Sequence, residues 1–135
     1  MNRALLPLAF AAMALAEGTA PAATPTPSKT GTPVSERERI YAEKIAPIME
    51  KSCVGCHNAK KAKNGFRADN LASLTKGGNE AGEGIVWGKP KESSLYLLSA
   101  ANRSEKLAMP PKKSDKPALT TAELETLKNW IETSK

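Results

Sequence analysis

The two cysteines and the single histidine of this 135-residue chain fall within five consecutive positions, in the stretch CVGCH at residues 53–57. Thiols and imidazole at this spacing can do three kinds of chemistry. They can form a disulfide, bind a metal such as zinc, or attach a haem through the pattern C-x-x-C-H. The surrounding sequence has to distinguish these alternatives.

Haem attachment is the chemistry that uses all three side chains of the stretch. A disulfide between Cys53 and Cys56 would close a very short loop and stabilise little, and a thioredoxin-like pair would need a βαβ setting. A structural zinc site needs four ligands, and beyond these three residues an unmarked carboxylate would have to supply the last. We therefore predict one haem c, bound through thioethers to Cys53 and Cys56, with the imidazole of His57 as an axial ligand of its iron.

The second axial ligand of the iron is predicted to be Met109. A second histidine does not exist in this chain, so a bis-histidine pair from it is excluded. Met49 lies four residues before Cys53 and should pack beside the attachment turn. Met109 is followed by two prolines, which suit an extended loop that carries a ligand. A lysine amine or an empty position remains the alternative. The methionines of the chain are Met1, Met13, Met49 and Met109.

A His57/Met109 pair would make the iron an electron carrier. A thioether ligand raises the reduction potential relative to bis-histidine ligation, and two protein ligands leave no position for a substrate. We expect a one-electron carrier and not an enzyme. Two alternatives remain open: a dedicated haem subunit of a periplasmic dehydrogenase, and a haem-based ligand sensor from which Met109 dissociates.

Helices must position these residues, and the first is predicted to begin at Ser35. Ser35 and Glu38 form the capping-box pattern S-x-x-E. Pro47 should interrupt or kink the helix close to Ala46, just before the attachment turn. Apolar residues recur at helical spacing along one face: Tyr41, Ile45 and Ile48.

The last helix is predicted to begin at Thr120, where Thr120 and Glu123 repeat the capping box. A shorter helix is expected over residues 93–100 behind a serine cap, and a weaker one over residues 70–74, stopped by Gly77-Gly78. No segment alternates for long enough to predict a strand, so the fold class is all-α. The apolar stripe of the last helix is Leu124, Leu127, Trp130 and Ile131.

The N-terminal residues predict export of the chain. Residues 1–16 combine a basic start, a short apolar run and an A-x-A exit, the pattern of a signal peptide cleaved near Ala16 or as late as Ala22. The apolar run is shorter than a transmembrane helix, which needs about 20 apolar residues. An uncleaved membrane anchor is the alternative. Residues 17–35 form a Pro/Thr-rich linker that should be disordered, and residues 36–135 form the folded domain. We expect a periplasmic protein.

The charge of the chain indicates the kind of partner. It has 20 Lys+Arg against 14 Asp+Glu, a net charge of +6. The lysines are scattered without an aromatic ladder, so nucleic acid is not an expected partner. Two lysine clusters suggest a positive ring around the haem edge where an acidic redox partner docks, and simple solubility is the alternative. The clusters are Lys60, Lys61 and Lys63, and Lys112, Lys113 and Lys116.

Short segments in a fixed order make the chain resemble the planctomycete-type monohaem cytochromes c. The resemblance implies the cytochrome c fold, in which the first and last helices cross near the haem. It also implies haem attachment at Cys53 and Cys56, with His57 as proximal and Met109 as distal ligand. Asn58 departs from the small residue that usually follows the motif. Relatives are often fused to larger enzymes, and here we expect a separate redox partner. The shared segments are IAPI, CVGCH, GFRAD, KGG, IVWGKP, ESSL, MPP, LT and NWI.

Overall fold

The computed structural model describes residues 34–134, all within one compact unit. The predicted signal peptide and the linker up to residue 33 lie outside the described residues. Within residues 34–134 the secondary structure is helical without strands, which confirms the all-α prediction. In the same range no helix has the length and apolar character needed to cross a membrane. The elements are α1 (Glu36–Ile40), a π-helical turn (Tyr41–Ile45), α2 (Ala46–Ser52), a 3₁₀ turn (Lys63–Gly65), α3 (Leu71–Lys76), a second 3₁₀ turn (Pro90–Glu92), α4 (Ser94–Ala100) and α5 (Thr121–Thr133).

The N-terminal helix starts with the predicted capping box. The backbone N–H of Glu38 donates to Oγ of Ser35 at 3.2 Å, and the Ser35 backbone N–H donates to the Glu38 carboxylate at 2.9 Å. These two bonds satisfy donors that would otherwise lack partners at a helix start. Ser35, predicted as the last residue of the linker, therefore has a role in the folded domain.

Pro47 changes the hydrogen-bond register of this helix. Proline has no N–H, so the carbonyl of Glu43 cannot receive its usual bond from four residues ahead. The N–H of Ala46 instead donates to the carbonyl of Tyr41, five residues back, and closes a π-helical turn. The predicted interruption near Ala46 thus takes the form of a π turn that joins α1 to α2. Ile45, at the end of this turn, is fully buried.

The first and last helical segments pack against each other, as predicted. Thr120 and Glu123 form the expected capping box before α5. The Tyr41 and Trp130 rings lie 6.0 Å apart, and Nε1 of Trp130 donates to the backbone carbonyl of Arg37 at 3.1 Å. This contact closes one end of the hydrophobic core. The two segments contribute six buried residues to one hydrophobic core: Ile45, Ile48 and Met49 from the first segment, and Leu127, Trp130 and Ile131 from α5.

The shorter helices form where the sequence predicts them. The side chain of Asn70 caps α3 by accepting from the backbone N–H of Ser73 at 2.9 Å. Gly77 ends α3 with φ of +84°, and a Cβ there would lie 2.2 Å from the carbonyl oxygen of Gly82. Only glycine fits that turn. α3 therefore ends at the predicted glycine pair.

Ser93 precedes α4 at the predicted cap position, but its side chain bonds to the preceding loop and not to the helix. Its Oγ makes no capping bond to α4. It accepts instead from the N–H of Val86 at 2.9 Å and donates to the carbonyl of Lys89 at 3.0 Å. The fully buried Ser93 therefore folds the preceding loop back on itself. The prediction of the helix start was right, and the prediction of a side-chain cap was wrong.

Candidate functional site

The CVGCH stretch forms one helical turn directly after α2. The backbone N–H groups of Cys56 and His57 both donate to the carbonyl of Cys53, at 3.1 and 3.0 Å. Cys53 is buried, Cys56 is half-buried, and both are free thiols. Burial, together with the nearby Cys56, raises the pKa of the Cys53 thiol to about 11. The turn thus presents the two thiols without joining them.

Asn58 closes the attachment turn with its side chain. Nδ2 donates to the carbonyl of Val54 at 2.7 Å, and Oδ1 accepts from the N–H groups of Lys60 and Lys61 at 2.9 and 3.0 Å. A glycine or alanine at this position would supply none of these bonds. The departure from the family pattern therefore has a structural role next to His57.

The segment 67–69 anchors the chain after His57. The carbonyl of His57 accepts from the N–H of Ala68 at 2.8 Å, and Oδ2 of Asp69 accepts from the N–H of Ala59 at 3.0 Å. Arg67 pairs with Asp69 at 2.9 Å. The Arg67 guanidinium and the Ala59 N–H lower the pKa of the Asp69 carboxyl, so this anchor is charged at neutral pH. The backbone of His57 is thus held from both sides of the motif.

One cavity brings together three of the four predicted site residues. Cys53, His57 and Met109 line a cavity of about 780 Å³, a volume that includes its open mouth. Cys56, the fourth predicted residue, is not among the lining residues. The apolar part of the wall is formed by Phe66, Leu95, Leu98 and Leu107.

Met109 reaches this cavity on a loop that is fastened to α4. Its backbone N–H donates to the carbonyl of Leu98 at 2.9 Å. Pro110, joined to Met109 by a cis peptide bond, is buried, and the guanidinium of Arg103 donates to the carbonyl of Pro111 at 2.8 Å. Met49, by contrast, is 1 % exposed in the hydrophobic core and does not line the cavity. Of the two methionines in residues 34–134, only Met109 is at the site.

Comparison with known families agrees with this geometry. Residues 53–113 match the family model described as "Planctomycete cytochrome C". The matched segment begins at Cys53 and extends four residues past Met109. This segment belongs to the planctomycete cytochrome c family. Neither the curated proteins nor the solved structures gave a match to the chain. Family membership implies electron transfer and a haem c cofactor.

The surroundings of His57 in this cytochrome fit a haem ligand. The edge of the Phe66 ring packs against the imidazole, with ring centroids 5.1 Å apart. Burial lowers the pKa of His57, and the backbones of Phe66 and Lys63 oppose that shift only in part. The imidazole is therefore neutral at pH 7, as a metal ligand must be. Its Nδ1 is buried without a hydrogen-bond partner, which is costly for a polar atom that serves packing alone.

The donors of the site also fit haem c better than the alternative chemistries. An imidazole nitrogen, a thioether sulfur and a thiol meet in a mostly apolar cavity, which suits a large, flat, apolar cofactor. Both cysteines are free, so the disulfide alternative has no support. Within residues 34–134 no group of three or more His, Cys, Asp or Glu side chains is arranged to hold a metal ion, so the zinc alternative has none either.

Each lysine cluster of the cytochrome has one member at the site. Lys63 lines the cavity. Lys116 lies over the attachment turn, where a Cβ added to Gly55 would be 2.8 Å from its Cε. The remaining members are exposed: Lys60, Lys61, Lys112 and Lys113.

Sequence reasoning missed several residues of the site. The basic run identified Lys63 as a surface charge, but nothing predicted that it lines the cavity. The same is true of Glu80, which approaches the cavity from a distant loop, and of Phe66 against His57. Trp87, which belongs to the shared segment IVWGKP, does not line the cavity. It packs edge-on to Trp130, with centroids 5.0 Å apart.

Proposed function

We propose that this cytochrome carries single electrons in the periplasm, with one haem c attached to Cys53 and Cys56 and ligated by His57 and Met109. The observation that supports the proposal most directly is the shared cavity. His57 and Met109 are far apart in the chain, yet both line the same apolar space together with Cys53. The N-terminal signal pattern of residues 1–16 supports export.

The chain's own residues explain why carrier chemistry is favoured over catalysis. When bound, haem c supplies an iron that gains and loses one electron. The neutral imidazole of His57 and the thioether of Met109 would both bind the iron, and the thioether would favour its reduced state. With both of these protein donors bound to the iron, a substrate would have no place to coordinate. A role as electron carrier and not as enzyme follows from this ligation.

The lysine clusters indicate how the carrier meets its partner. Lys63 at the cavity and Lys116 over the attachment turn bring positive charge to the place where the haem would be attached. The chain as a whole is basic, at +6. Such a field attracts and orients an acidic protein at low ionic strength. We propose an acidic redox protein as the partner, docking at this lysine-rich surface.

The proposal is tested by producing the chain in a host with haem-attachment machinery. We expect the exported protein to carry the added mass of one covalent haem. Its reduced-minus-oxidised spectrum should be that of a c-type cytochrome, and carbon monoxide should leave the reduced spectrum unchanged. A colourless product with the mass of bare polypeptide would refute haem attachment. Carbon monoxide binding to the wild-type protein would refute stable ligation by Met109 and favour the ligand-sensor alternative.

A further inference from the structure

Two charged side chains interrupt the otherwise neutral wall of the cavity. Among the described residues that line it, only Lys63 and Glu80 carry a formal charge at pH 7, because His57 is neutral. The remaining wall is mostly apolar. A charge that faces an apolar cavity acts on its occupant more strongly than the same charge in open water. The two side chains are therefore candidates for control of the haem.

Lys63 belongs to the same part of the cavity wall as His57. Its carbonyl accepts from the N–H of Phe66 at 3.1 Å, and the Phe66 ring packs against the imidazole. In residues 34–134 the ammonium of Lys63 has no carboxylate within ion-pair distance, so its charge is not compensated locally. Consistent with this placement, the charge of Lys63 adds to burial in lowering the pKa of His57.

Glu80 is held at the cavity by the residue next to Lys63. Its Oε2 accepts from Nδ2 of Asn64 at 3.3 Å. Asn64 has the left-handed backbone conformation, with φ of 54°, and its carbonyl accepts from the N–H of Asn79 at 2.8 Å. This pairing ties the loop that carries Glu80 to the 3₁₀ turn that carries Lys63. In the described residues Glu80 has no ion-pair partner either.

We propose that Lys63 and Glu80 tune the reduction potential of this cytochrome in opposite directions; this inference rests on the proposed His57/Met109 haem. An ammonium group near the iron position disfavours the more positive, oxidised state and so raises the potential. A carboxylate favours the oxidised state and lowers the potential. Both side chains reach solvent, so water and salt screen each effect. The tuning is therefore strongest at low ionic strength.

The test is a spectroscopic redox titration of the full-length, haem-loaded protein and its variants at low and high salt. Lys63→Gln should lower the midpoint potential, and Glu80→Gln should raise it. Lys63→Arg, which keeps the charge, should stay near the wild-type value. Lys60→Gln is the matched control, because it removes the same charge from an exposed lysine that does not line the cavity. Both shifts should shrink at high salt.

The outcomes separate this inference from the function on which it rests. If the wild-type protein carries no haem, the proposed function fails. If the haem is present and each variant keeps the wild-type spectrum, the axial ligands are intact and the potentials test tuning alone. Equal potentials for the wild type and Lys63→Gln, or equal shifts for Lys63→Gln and Lys60→Gln, would overturn the role of Lys63. A Glu80→Gln shift to lower potential would overturn the role of Glu80.

Discussion

The side chain of Asn58 bonds to the carbonyl of Val54 at 2.7 Å, across the turn that carries both cysteines and the histidine. The same side chain accepts two backbone N–H groups from the following residues, Lys60 and Lys61. One residue therefore fixes the chain on both sides of His57. An imidazole that binds a metal needs such orientation, because a small rotation of its backbone would move the ligating nitrogen.

Replacement of Asn58 should loosen this turn. Asn58→Ala removes three hydrogen bonds, and two of these involve backbone N–H groups that can donate to water instead. We expect a loss in the free energy of unfolding at the lower end of about 1.5 to 4.5 kcal/mol, from about 0.5 to 1.5 kcal/mol for each of the three bonds. Denaturant unfolding of the haem-loaded protein, followed by its absorption spectrum, measures this loss.

Two further variants make the Asn58 prediction specific. Asn58→Asp keeps the acceptor oxygens and loses the donor to Val54, so its stability should fall between those of the wild type and Asn58→Ala. Asn79→Ala removes an exposed side chain that makes no hydrogen bond within the described residues, and it should be nearly neutral. A stability of Asn58→Ala equal to that of Asn79→Ala would show that the turn holds without the amide.

Met109 and Met49 should respond differently to the same substitution. Met109→Ala removes the proposed thioether ligand, so the potential should fall and the reduced protein should bind carbon monoxide. Met49→Ala empties part of the core, and we expect it to cost about 2 to 5 kcal/mol of stability without opening the iron to carbon monoxide. Carbon monoxide difference spectra and unfolding curves of both variants separate the two roles. An unchanged spectrum of Met109→Ala would exclude Met109 as the ligand.

Glu123 links pH to the stability of α5. Lys51 and the Thr120 cap lower the pKa of the Glu123 carboxyl below its ordinary value of 4.5. A group whose pKa is lower in the folded than in the unfolded chain stabilises the fold above the unfolded pKa. That contribution is lost as the pH falls through the folded pKa, below about 4.5. Glu123→Gln should therefore be less stable than the wild type at pH 7, and the difference should shrink toward pH 3.

The Glu123 prediction needs a control for the general effect of acid. Glu132→Gln removes a carboxylate from the same helix that forms no ion pair or side-chain hydrogen bond within residues 34–134. Its stability should follow that of the wild type at both pH values. Unfolding by denaturant at pH 7 and pH 3 gives the comparison. If the deficit of Glu123→Gln is the same at both pH values, ionisation of Glu123 does not contribute to stability.

Features that depend on neighbouring residues were predictable from the sequence, and features that depend on distant loops were not. The capping boxes at Ser35 and Thr120 need only the residue three positions ahead, and the attachment turn needs only its own five residues. Ser93 looked like a cap, but its hydroxyl bonds to a loop whose path no local pattern reveals. Pro47 predicted an interruption of the helix. That the helix accommodates the missing N–H with a π turn could not be predicted from the proline alone. Glu80 reaches the cavity through a loop ordered by the left-handed backbone of Asn64. No pattern in the sequence predicts this conformation of Asn64.

The lysine-rich surface should select electron donors by their charge. Iron(II)–EDTA is anionic and hexaammineruthenium(II) is cationic, so the two small reductants test the field without a protein partner. Lys112→Gln/Lys113→Gln should slow reduction by iron(II)–EDTA several-fold at low ionic strength and speed reduction by hexaammineruthenium(II). Stopped-flow absorbance measures both rates, and both differences should vanish at high salt.

Opposite signs with the two reductants isolate charge from driving force. A change in potential alone would move both rates in the same direction, whereas removal of surface charge moves them apart. Lys91→Gln/Lys128→Gln removes the same net charge outside both lysine clusters and should affect the two rates much less. If the control double variant changes the rates as much as Lys112→Gln/Lys113→Gln, the net charge of the whole chain steers the reductants and the lysine clusters have no special part in docking.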